Sequence, residues 1–387
     1  MTLLIDLTHL SQPATDAALE HIYKSTHDHD AGIWNPHETL LIRRLVELFT
    51  KRGLDRIAAV QSQLLAWQSG EHFKAGLPVQ PAPGMMTRWN AAEFELVKLY
   101  MESLPPAMWT LDDHMLSAEY VVQKYLPASE LKTEAEWLAT RAGLMGKVQA
   151  NMDAKALDEL TPVGADKILA ALPSTVGAAA EKFTLNAIQR AVLEFSAARA
   201  AENVVALADS VRHQIRGAII EHTERKMLGA EVGAMESLQS TLFNKFSTLN
   251  RDWRRIAVTE AGEAQTQGFI ASLPTGAKVK RVEQYGNACG FCKKIHGKVA
   301  EVVSPDAAVK DGTTQVWVGK NNIGRSASPK KRVGGILIPR EEHEMYWLPA
   351  GVAHPHCRGR WVSISNPDEV AEGDDPDFAE ELRKILA

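Results

Sequence analysis

All three cysteines of the 387-residue chain fall in two short stretches, Cys289-Gly290-Phe291-Cys292 and His354-Pro355-His356-Cys357. Three thiolates and an imidazole are the ligand set of a closed tetrahedral zinc site. A CxxC pair chelates because two intervening residues turn the chain back on itself, and Gly290 permits the backbone angles such a turn asks for. His354 and Cys357 have the same spacing, and Pro355 stiffens the link between them. For the fourth ligand His354 is favoured over His356, since adjacent side chains diverge and His356 would struggle to reach an ion that Cys357 holds. His296, shortly after Cys292, is a further alternative. Four protein ligands leave no coordination position for water, so the expected role is structural. The bland alternative is buried inert thiols; a redox pair asks for a CxxC near a βαβ pattern and leaves Cys357 without a role.

The two stretches are far apart in sequence, so the expected site is no compact finger. Closing a long loop costs chain entropy that rises only slowly with length. Structural zinc in small peptides contributes roughly 10–16 kcal/mol of apparent binding energy at neutral pH. Such an ion can staple the start of a domain to its end.

Around the ligands the chain reads Arg255-Ile256-Ala257-Val258-Thr259-Glu260, then Cys289 to Cys292, then His296-Gly297, and finally Gly351-Val352-Ala353-His354-Pro355-His356-Cys357-Arg358. That order resembles the phage Mu F-like family, the minor head or head morphogenesis proteins of tailed bacteriophages. In that family an R-x-x-x-T-E helix precedes a C-x-x-C-x-x-x-D/H-G turn, and a terminal H-P-x-C-R closes the motif. The resemblance covers about residues 235–365. Two departures stand out: many members end in C-R-C where this chain has Cys357-Arg358-Gly359, and the position of His296 is often Asp. The resemblance implies a non-enzymatic virion component, present in several copies in the head and assembled in the bacterial host cytoplasm. Its implied partners are the portal protein, the major capsid protein or both, with phage DNA packaging or delivery as a further implied role. By analogy with the family the helix carrying Arg254, Arg255, Thr259 and Glu260 leads into the zinc domain, and its Arg and Glu are expected to buttress the turn that follows.

Composition agrees with a folded assembly protein. The chain is long enough for two or three domains, and 45% apolar with 24% charged residues reads as globular. A net charge of -5 argues against a protein that coats nucleic acid wholesale. No apolar run approaches a membrane span, and Met1-Thr2-Leu3-Leu4-Ile5 lacks the basic start of a secretory signal, so no membrane is expected and folding in a cytoplasm is. Cysteine usage fits a reducing compartment.

The elements that must position the ligands read as α+β: a mainly α-helical N-terminal region followed by a small zinc-stapled α+β C-terminal domain. The expected division is a helical region over 1–160, long alanine-rich helices over 161–234, the zinc-binding domain over 235–366 and an acidic tail helix over 367–387. Asn35-Pro36 predicts a helix start, Gly53 a stop between two amphipathic helices, and Asn90 with Glu93 a capping box. His27-Asp28-His29-Asp30 reads as a solvated linker rather than a metal loop. Pro162, Gly164, Pro173 and Gly177 suggest a hinge or a subdomain boundary. The aromatics Trp89, Phe94, Trp109 and Trp137 are expected to pack between helices, and Arg212, Arg216, Arg225 and Lys226 to form a solvated face. Met235 to Ser247 and Arg251 to Phe269 read as separate helices. Val279 to Tyr285 and Lys298 to Val303 read as strands, with Val316 to Val318 pairing with Ile336 to Ile338.

Between those last two segments lie Lys320, Arg325, Lys330, Lys331 and Arg332 with no acidic residue from 319 to 335. A mobile basic loop of this kind is a candidate phosphate or partner contact, or a charge that offsets Glu341, Glu342 and Glu344. No phosphate loop, Gly-x-Ser-x-Gly elbow or HExxH occurs. The CxxC precedes the lone His instead of following an H-x-E, which does not match a zinc deaminase. A zinc-dependent hydrolase using Glu342, His343 and Glu344, and a nucleic-acid-binding zinc module using the 320–332 loop, are the alternative readings.

Overall fold

The computed structural model describes residues 40–151, 160–227, 234–283, 288–355 and 357–364, together with Phe378, Glu380 and Lys384. The His27 to Asp30 stretch, the Asn35-Pro36 start, His356 and most of the acidic tail lie outside the described residues. Two compact units emerge, each assembled from separated stretches: residues 44–144 with 169–264, and residues 145–168 with 265–387 and the first 43. Among the described residues no helix is long and apolar enough to cross a membrane.

The first unit is helical. It is built on α1 (Leu40–Ser69), α2 (Ala91–Ser103), α3 (Leu111–Tyr125) and most of α4 (Ala128–Asn151), then, past α5 (Pro162–Ala171), on α6 (Val176–Lys182), α7 (Ala187–Met227) and most of α8 (Ala234–Ala271). Helix α2 starts on the expected capping box: Asn90 Oδ1 accepts from the Glu93 N–H at 3.0 Å, and Glu93 Oε2 accepts from the Asn90 N–H at 2.7 Å. Asp113 plays the same part beneath Thr110 at the start of α3, and it also accepts from the Tyr100 hydroxyl. The rings of Trp67, Trp89 and Phe94 converge on Tyr120, so those aromatics are core packing. Trp137 carries Arg52 and Arg141 over its faces.

Three expectations fail here, each for a packing reason. Helix α1 runs unbroken through Gly53, because a Cβ at that position would fall inside the indole of Trp253, which stacks on Phe49 at 5.4 Å. A helical glycine costs about 1 kcal/mol relative to alanine, and burial of the Trp253 ring offsets it. Helix α8 is likewise one helix where two were expected: Phe246, Leu249, Trp253, Ala257 and Ala261 form one continuous buried stripe. Thr248 bonds back to the Asn244 carbonyl instead of capping a new helix. The 161–179 stretch folds largely as α5 and α6, the latter capped by Thr175, and the boundary between the two compact units falls within it after Ile168, as a subdomain boundary there would have it. Arg212 also leaves its supposed solvated face, reaching both oxygens of the buried Glu119 at 3.2 Å.

The second unit makes the chain α+β. It takes most of α5 and the last residues of α4 and α8, and adds β1 (Lys278–Val282), α9 (Gly290–Ile295), β2 (Val299–Val302), β3 (Gln315–Val316), β4 (Lys330–Val333), β5 (Ile336–Pro339) and β6 (Arg360–Ser363). Sheet order is β3-β2-β1-β6, with β1 antiparallel to both neighbours and β3 parallel to β2. Helices α4 and α8 approach closely here because Gly146 leaves the space that a Cβ would take from the backbone near Gln265 and Phe269. The core gathers Phe269, Val279, Ile295, Val316, Leu348 and Trp361 around Cys292 and Cys357.

Val316 to Val318 does not pair with Ile336 to Ile338. Strand β5 instead folds back on β4 in a separate two-stranded hairpin, Lys331 opposite Ile338 and Val333 opposite Ile336. Gly334 and Gly335, both at positive φ (55° and 84°), form its two-residue turn, the conformation that matches strand twist and that glycine adopts at least cost.

Candidate metal centre

Two turns supply the donors. Strand β1 delivers the chain to Cys289, which caps α9: its sulfur accepts the Cys292 N–H at 3.4 Å. The CxxC is therefore the first turn of a short helix, and it places Cys292 in the core. The second turn closes through the Cys357 N–H donating to the His354 carbonyl at 3.0 Å. Trp361 behind it anchors β6 by donating to the Ala350 carbonyl.

Cys289, Cys292 and His354 come together as one group, and Cys357 joins them through Cys292. His354 Nε2 lies 3.3 Å from Cys289 Sγ and 3.2 Å from Cys292 Sγ, and the sulfurs of Cys292 and Cys357 are 3.9 Å apart. Zinc bonds of about 2.3 Å to sulfur and about 2.0 Å to nitrogen give tetrahedral edges of about 3.8 Å between sulfurs and about 3.6 Å between sulfur and nitrogen. The donors can thus hold a metal ion; Cys292 belongs to two overlapping donor groups, one with Cys289 and His354 and one with Cys357 and Glu283.

The His354 tautomer and the thiols agree with that use. The ring nitrogen Nδ1 of His354 faces the Pro355 carbonyl at 2.8 Å. A carbonyl only accepts, so Nδ1 carries the proton and Nε2 offers its lone pair to the sulfurs. Burial pulls the His354 imidazole down, but the Pro355 carbonyl and the thiols of Cys357 and Cys289 raise it overall. Burial opposes ionisation of Cys357, yet Cys292 and the Arg281 guanidinium hold it well below the usual thiol range. Cys289 is also lowered, against its burial, by the N–H of Cys292.

His296 does not join. Its Nδ1 accepts the Glu283 N–H at 3.0 Å, so it fastens the end of β1 instead. Glu260, expected to buttress the turn, does other work: it is held by Arg199 at 2.8 Å and Asn203 at 2.9 Å within the helical unit. The buttress is Arg281 with Glu283, neither singled out in the sequence. Period two along β1 was the available signal, because it turns Arg281 inward with Val279.

The basic segment is not a mobile loop of five cations. Lys320 is 1% exposed; its ammonium donates to the Gly312 and Gln315 carbonyls and lies over the Trp317 and Trp347 rings. Arg325 stacks on Trp347 at 3.8 Å and donates to the Met345 carbonyl, and Lys331 pairs with Glu344. Lys330 and Arg332 stay exposed on β4. Glu342 and His343 are exposed and belong to neither donor group.

No family model matches the chain, and no curated protein or solved structure matches it.

Proposed function

We propose that Cys289, Cys292, His354 and Cys357 hold a structural Zn2+, and that the chain is a minor head protein of a tailed bacteriophage acting in capsid assembly at or near the portal vertex. The observation that carries the reading is the convergence of this quartet, from two turns in the Mu F-like order, at the middle of a small core. The ion would supply a crosslink between β1 with α9 and the turn before β6. With four protein donors it would keep no position for a substrate, which supports a non-enzymatic role. Loading would displace thiol protons, and hydrogen bonds from Cys292, with the Arg281 guanidinium beside Cys357, favour that loss.

The helical unit would supply most of the contact surface for portal or capsid subunits, with the exposed Lys330 and Arg332 available to phage DNA. Zinc content and coordination test the first half of the proposal: one ion per chain with a three-sulfur, one-nitrogen shell is expected, and an apo chain of unchanged fold would overturn it. Co-expression with a portal protein from the same genome tests the second; a portal ring that purifies without this chain at every salt concentration would count against it.

A further inference from the structure

Strand β1 carries a cation into the core of the strand-bearing unit. Lys278 and Lys280 are exposed while Val279 and Arg281 are buried, so a guanidinium stands where alternation calls for an apolar side chain. A buried charge costs several kcal/mol unless it is fully paired. Arg281 uses its nitrogens in three directions: Nε donates to Glu283 Oε1 at 2.7 Å, Nη1 to the Gly351 carbonyl at 2.9 Å and Nη2 to the Cys357 sulfur at 3.8 Å. Glu283 Oε2 lies 3.6 Å from the same sulfur, and neither side chain of the pair has exposed area. Gly359 makes the room, because a Cβ there would fall within the Glu283 carboxylate. One side chain therefore ties β1 both to the segment that leads into the second ligand turn and to the last ligand of that turn.

On the reading that the quartet binds zinc, we propose that Arg281 is a positioning residue of the centre, holding Cys357 in place, with Glu283 orienting Arg281 and Gly359 leaving it space. An ion pair that served stability alone would leave the ligand shell indifferent to the shape of the cation. A positioning role makes the shell depend on the planar fork, which an ammonium does not reproduce. Outer groups that orient metal ligands typically govern affinity by 10–100-fold when removed.

The test uses the full chain with Arg281→Lys, which keeps the charge and loses the fork, and Glu283→Gln, which keeps the shape and loses the charge. Lys280→Met, exposed on the same strand, is the control. Each is loaded with Zn2+, and release to a chromophoric chelator is timed; Co2+-loaded samples are read in the thiolate-to-metal charge-transfer band. Arg281→Lys is expected to release zinc about 10–100-fold faster, with a weaker cobalt band, Glu283→Gln to move in the same direction, and Lys280→Met to match the unaltered chain. Release within about twofold of the unaltered chain in both variants, with an unchanged cobalt band, overturns the proposal and leaves the zinc reading standing. An unaltered chain that takes up no zinc overturns both. Should Arg281→Lys fail to fold, Glu283→Gln decides the matter alone.

Discussion

Cys292 is the most constrained of the donors, since it caps nothing, is fully buried and belongs to both donor groups. Cys292→Ser is expected to abolish zinc binding and to open residues 288–355 to trypsin. The far-UV helical signal should stay nearly intact because the long helices lie elsewhere; unchanged protease resistance would contradict this. Gly53 offers a test with a clear sign. At an ordinary helical site Gly→Ala stabilises by about 1 kcal/mol, whereas Gly53→Ala should destabilise the helical unit by about 1–3 kcal/mol, because the methyl group displaces the Trp253 ring. The urea midpoint decides between the two. Lys320 gives a pH dependence: burial lowers its pKa from 10.5 to about 8. Between about pH 8 and 10.5 the unfolded chain binds the proton that the folded chain has lost, so this residue makes stability rise with pH there, by at most about 1.4 kcal/mol per pH unit. Below pH 8 its unfavourable contribution is fully present. In Lys320→Met that slope should disappear, as read from denaturation midpoints between pH 7 and 10.5.

Elements show why some of this was legible in the sequence and some was not. The ligands were legible because thiols and imidazoles at chelating spacing have few other uses. Arg281 and Glu283 were not, because Lys278, Lys280 and Arg281 together read as a wet strand, and only the sheet registers set by β2 and β6 turn one of them inward. Gly53 looked like a helix stop because a single sequence cannot show the indole that lies against it. The capping boxes of α2 and α3 are local, so Asn90 with Glu93 could be read directly. The β4–β5 hairpin is hidden in the sequence because Gly334-Gly335 closes a Gly-, Asn- and Ser-rich stretch that reads as a loose loop. Its outer strand predicts where any DNA contact lies. Lys330→Ala with Arg332→Ala should lower the slope of log affinity against log salt by about two, whereas Lys320→Met should leave it unchanged, measured by fluorescence anisotropy on duplex DNA.

For the whole molecule, the two compact units make separate melting transitions the expectation. Stripping zinc with a chelator should lower the transition of the strand-bearing unit and leave that of the helical unit in place. A single transition that moves as a whole would show that the units melt together. The units are interleaved along the chain, and the two halves of the candidate metal centre are 65 positions apart. Synthesis runs at about 5–20 residues per second, so the Cys289–Cys292 pair leaves the ribosome roughly 3–13 s before His354 and Cys357 follow. During that interval a nascent chain presents a bare dithiol, open to oxidants and to copper as much as to zinc, and the cell's reducing and metal-buffering capacity becomes part of the folding pathway.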